Sequence, residues 1–91
     1  MKELEKQAIQ DLINFYELYL SKGKDRGLIK EKAAKIYEEY IIGFTLLSED
    51  INGALGPLID IYGNTSINPP TKEEAKKILE KLKKLQKELG Q

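Results

Sequence analysis

Between Lys2 and Leu20 the apolar positions Ile9, Leu12, Ile13, Tyr16, Tyr19 and Leu20 recur at helical spacing. On a wheel of 100° per residue they fill an arc of about 120°. Ala8 and Phe15 widen one edge, and Leu18 falls alone near the opposite side. The loop that follows, residues 21–27, holds two Gly and four charges, and Asp25 is placed to cap the next helix. That second helix is expected over 28–47, with Ile29, Ala33, Ile36, Tyr37, Tyr40, Phe44 and Leu47 on its core face. Ile41, Ile42 and Leu46 point away from that stripe, so its second half is apolar nearly all round.

Ser48 followed by Glu49 and Asp50 reads as a helix start: a hydroxyl cap, then acids in the first turn. A third helix over 49–62 carries Ile51, Ala54, Leu55, Leu58, Ile61 and Tyr62 on one side. Pro57 lacks a backbone donor and crowds the preceding turn, so a kink or a split is expected at Gly56-Pro57. Gly53 and Gly56 suggest a close approach by another helix, and Gly63-Asn64 suggests a left-handed cap. Thr71-Lys72-Glu73-Glu74 spells a capping box that opens a last helix over 72–89, with Gly90 as its stop. Ala75, Ile78, Leu82, Leu85 and Leu89 repeat there two per heptad. Glu73–Lys77 and Glu80–Lys84 are spaced for intrahelical ion pairs.

These patterns predict an all-α fold. Short connections favour antiparallel neighbours, giving a single helical domain over residues 1–91: an antiparallel four-helix bundle with an irregular or kinked third helix. Composition agrees, since Val is absent while Leu, Ile, Lys and Glu dominate. Lys and Glu together outnumber Asn and Gln by 25 to 8, a balance seen in heat-adapted proteins, although AT-rich coding also favours Lys over Arg.

The chain of 91 residues has no His, no Cys and no Trp. That excludes zinc-finger ligands, a Ser-His-Asp triad, a thiol nucleophile and the Glu-x-x-His motifs of di-iron bundles. Glu38 and Glu39 are adjacent on a helix and point about 100° apart, so they do not converge on one atom. No catalytic, cofactor or metal site is expected. Fifteen basic and fifteen acidic residues give no net charge, which removes the simplest argument for a nucleic-acid or acidic-membrane partner. No apolar run approaches the ~18 residues of a membrane span, and Met1 to Lys6 lacks a signal-peptide layout, so a soluble cytoplasmic protein is expected.

Two surface features remain. Residues 72–91 hold seven Lys against four Glu, and Lys72, Lys76, Lys83 and Lys87 form a stripe suited to phosphates or to an acidic surface. Its plain alternative is a solvated face with Lys stems covering Leu79. Ile41, Ile42 and Leu46 form the candidate partner interface, in a homodimer or with another protein. Thr71 to Gly90 resembles the last helix of acyl-CoA-binding proteins. That family's Trp segment and tyrosine–lysine ligand motif are missing, so its function is not carried over. The expectation is a non-enzymatic interaction or self-association module. The runner-up readings are a nucleic-acid-binding accessory protein using the Lys-rich helix and a ligand-binding bundle using the kink.

Overall fold

The computed structural model describes residues 2–23, 25–63 and 70–89. The fold is an all-α bundle: α1 (Lys2–Lys22), α2 (Arg26–Ile41), α3 (Glu49–Leu55), α4 (Pro57–Tyr62) and α5 (Lys72–Leu89). A single 3-10 turn, Phe44–Leu46, joins α2 to α3. Asn64 and the Gly90 stop lie outside the described residues.

The three N-caps read from the sequence form. Asp25 Oδ1 accepts from the Leu28 N–H at 3.2 Å, and Ser48 Oγ accepts from the Ile51 N–H at 3.4 Å. At α5 the capping box closes both ways: Thr71 N–H donates to Glu74 at 3.0 Å, and Glu74 N–H donates to the Thr71 hydroxyl at 3.2 Å. The expected third helix is split where Pro57 stands, with α3 ending at Leu55, Gly56 between, and Pro57 opening α4. Proline at a first helical position forfeits a donor that has no partner there anyway. Gly63 ends α4 in an extended conformation (φ −81°, ψ 153°), not the left-handed one expected.

α1 lies at the centre, packing most extensively on α5 and also touching α2 and α3, while α2 packs on α4. Ala8, Ile9, Leu12, Ile13, Phe15 and Tyr16 of α1 are all buried. They meet Ile29, Ala33 and Tyr40 of α2, the apolar faces of α3 and α4, and Ala75, Leu79 and Leu82 of α5. Phe15 stands edge-on to Tyr16 with ring centres 5.3 Å apart, and Tyr37 leans on Tyr62 at 5.7 Å, tying α2 to α4.

Several expectations need correction. The second helix does not reach residue 47: Gly43 and the β-branched Ile41-Ile42 pair weaken it, and it ends at Ile41. Phe44 consequently leaves the core face and is exposed, while Leu47, beyond the 3-10 turn, still turns inward and is buried. On α5, Leu79 is core, whereas Ile78, Leu85 and Leu89 are only half-buried. This helix lies against α1 and α3 together, so its buried face is wider than a two-helix seam. Leu18 is half-buried instead of solitary and exposed, because α2 passes beside it.

Two further corrections concern glycine and the ion pairs of α5. A Cβ built on Gly53 would meet nothing within 4 Å, and on Gly56 only the Asn52 carbonyl at 3.5 Å, so neither admits a neighbouring helix. The ion pairs of α5 run across the bundle instead of along the helix. Lys81 reaches Asp50 at 3.7 Å and Lys83 reaches Glu17 at 3.4 Å, both solvent-exposed. Among the described residues, Glu73–Lys77 and Glu80–Lys84 do not close.

Candidate functional site

The site begins where α2 gives out. Gly43 N–H bonds back three residues to the Tyr40 carbonyl at 3.2 Å, tightening the chain from α-helical to 3-10 geometry. The Leu46 N–H then donates to Gly43 at 2.9 Å, and the Leu47 N–H donates to Phe44 at 3.2 Å. Leu47 exits extended (ψ 151°), which delivers Ser48 to its capping position on α3. One side of this turn is held against the bundle: Leu47 is buried, and Leu4 of α1 lies 3.6 Å from where a Gly43 side chain would begin.

The other side faces solvent. Ile42 is 89% exposed, Leu46 53% and Phe44 49%. Ile42 and Leu46 are where the sequence placed them. Ile41 is half-buried and withdraws from the patch, and Phe44 takes its place. Large apolar side chains scattered singly over a surface need no explanation, but three within five residues form a patch.

A residue that the pattern reading passed over gives this turn its shape. Asn52, on α3, donates its side-chain amide to the Phe44 carbonyl at 2.8 Å and to the Leu47 carbonyl at 3.4 Å. Its amide oxygen is buried without a partner. The one local signal was a weak helix former in the second turn of α3, since Asn favours bonds to nearby backbone.

Beside the patch a groove of about 370 Å³ runs between α1 and α2. Phe15, Leu18 and Ile36 supply its apolar lining, and Lys32, Lys35 and Glu39 of α2 stand along it. The Tyr40 hydroxyl donates to the Asp11 carboxylate, which also lines the groove. Burial holds the Tyr40 phenol well above its ordinary range, and the bond to Asp11 adds to the shift. Tyr16 is shifted upward chiefly by burial, and its hydroxyl donates to the Ala54 carbonyl at 2.6 Å. Tyr16 and Tyr40 are thus tied into the fold by both ring burial and a hydroxyl bond.

Lys72, Lys76, Lys83 and Lys87 are all exposed on α5, so the stripe exists as a surface. Lys83 is already committed to Glu17, and Leu79 beneath belongs to the core. A hollow of about 320 Å³ lies between α3 and α5, lined by Gly53, Ala54 and Ile78 and not by Gly56 or Pro57 of the break. Lys81 and Asp50, which pair, also line it. Among the described residues no cluster of carboxylates has the grouping to hold a metal ion, and no helix is long and apolar enough to cross a membrane. No family model, no curated protein and no solved structure matches this chain.

Proposed function

We propose that this chain is a protein–protein interaction module, and that it docks through Ile42, Phe44 and Leu46. The observation that carries this reading is their joint exposure on a turn that is itself well braced. Asn52 bonds two of its carbonyls, Leu47 anchors it in the core, and Leu4 backs Gly43. A braced apolar patch loses little conformational entropy when a partner covers it, whereas a floppy one would spend much of its binding energy on ordering. Ile42 would contribute about 1.5–3 kcal/mol on full burial, and Phe44 and Leu46, already about half covered, roughly half as much each, before association costs.

The Lys stripe supports the nucleic-acid reading less well, since Lys83 pairs with Glu17 and Glu73, Glu80 and Glu88 interleave along the same helix. The docking reading is tested by photo-crosslinking from a benzoyl-phenylalanine at position 44 and, as control, at position 87. A protein adduct is expected from position 44 alone. It should vanish in the Ile42→Glu/Leu46→Glu variant, which keeps the wild-type circular dichroism. Equal labelling from both positions, or none from position 44, would overturn the proposal.

A further inference from the structure

One flank of α2 carries Leu28, Lys32, Lys35, Glu39 and Ile42, and Leu46 follows on the 3-10 turn. The steps between them alternate four and three residues, the spacing of a two-per-heptad helix seam. This seam is not part of the core. Lys32, Lys35, Glu39 and Ile42 are exposed and Leu28 is half-buried. Ile42 keeps helical geometry (φ −62°, ψ −37°), so the seam stays helical as far as Ile42, the first residue of the patch.

The chemistry along it reads apolar, basic, basic, acidic, apolar, apolar. Laid antiparallel on a copy of itself about a two-fold axis midway between Lys35 and Glu39, the seam brings opposite charges together at its centre. Lys35 faces the partner's Glu39, and symmetry repeats that pair. Lys32 lies level with the partner's Ile42, which enters beside the apolar lining of the α1–α2 groove. The partner's 3-10 turn, which carries Leu46, lies toward the Leu28 end. Parallel apposition in register would instead set Lys35 on Lys35 and Glu39 on Glu39, which like-charge repulsion disfavours.

Resting on the docking reading above, we infer that the partner is a second copy of this chain, bound antiparallel through the α2 seam. The Lys35–Glu39 pairs set the register and the apolar ends supply the affinity. Exposed positions make the test clean, because their replacement leaves the core untouched. Sedimentation of the wild type across a wide concentration range should show a monomer–dimer equilibrium. Lys35→Glu and Glu39→Lys should each weaken it about tenfold or more, by placing like charges on both sides of the axis. Mixing these two variants, or combining both changes in one chain, should restore the dimer. With no native Cys, mixed Lys35→Cys and Glu39→Cys chains should also cross-link on oxidation.

A wild type that stays monomeric throughout would overturn this inference, as would a double swap no better than either single swap. If the swaps are silent but Ile42→Asp abolishes the position-44 adduct, the patch docks on something else and only the antiparallel dimer falls. If Ile42→Asp is silent as well, both readings fall.

Discussion

Replacing Tyr16 by Phe removes one hydroxyl from the centre of the bundle and little else. The ring is fully buried and stays packed against Phe15. The hydroxyl donates at 2.6 Å to the carbonyl of Ala54, a residue that is itself buried. This carbonyl belongs to the last turn of α3, beside the α3–α4 break. Tyr16→Phe therefore leaves a buried acceptor short of its partner, which costs about 1–3 kcal/mol, whereas the lost volume is small. In a domain of this length each kcal/mol lowers the thermal midpoint by about 4–8 °C.

Urea titration is the direct assay, and the midpoint should fall with an unchanged slope, since the surface exposed on unfolding is the same. Tyr19→Phe is the internal control: its hydroxyl makes an equally short bond, 2.6 Å to the Pro70 carbonyl, but in a half-buried place that water can reach. That change should cost only about 0.5–1 kcal/mol. A Tyr16→Phe loss below about 0.5 kcal/mol, or one smaller than that of Tyr19→Phe, would refute the argument that buried satisfaction at the break stabilises the fold.

Three further outcomes are expected. Gly53→Ala adds a Cβ into open space inside α3 and should stabilise by about 0.5–1 kcal/mol in the same titration; a loss would mean that the hollow beside it is filled. Thr71→Ala should cost about 1 kcal/mol by removing the cap. The Thr71 backbone N–H, and then its side chain, hold the Glu74 carboxyl below its ordinary range. This contribution is present above that range and is lost as pH falls through the folded value, so in Thr71→Ala the carboxyl resonance should titrate closer to an ordinary Glu. Tyr16 and Tyr40 are shifted the other way, so folding holds protons that the unfolded chain releases. Stability is therefore full below about pH 10 and declines as pH rises beyond it. Phenolate absorbance and circular dichroism should change together; Tyr40 ionising at an ordinary phenol value in an intact fold would contradict its bond to Asp11.

The three N-caps and the proline break were read correctly, for a specific reason. Asp25, Ser48 and Thr71 cap helices through bonds to an N–H three residues away, so the residues that decide the outcome are neighbours in the chain. Gly56-Pro57 interrupts the third helix because a missing N–H is a property of one residue. The candidate site was legible in part. Ile42 and Leu46 were correctly placed off the core stripe, but Phe44 was assigned inside it, because the reading continued α2 past Gly43. The loss of helical rise at a 3-10 turn rotates every later residue, and a wheel drawn at constant pitch has no way to show it.

By itself, then, the sequence determined that this protein is all-α, where its helices begin, and that it offers no His or Cys for chemistry. Those properties follow from composition and from contacts spanning one turn of helix. Tertiary structure decided which of several apolar residues are core. Leu79 is buried because α5 lies on both α1 and α3, Leu18 is half-covered because α2 passes it, and Phe44 is left in solvent. It also gave Tyr16 its acceptor on Ala54, 38 residues away, and gave Asn52 the two carbonyls that brace the patch. Burial and long-range hydrogen bonds depend on which surfaces meet, and which surfaces meet is a property of the packed bundle, not of any single helix.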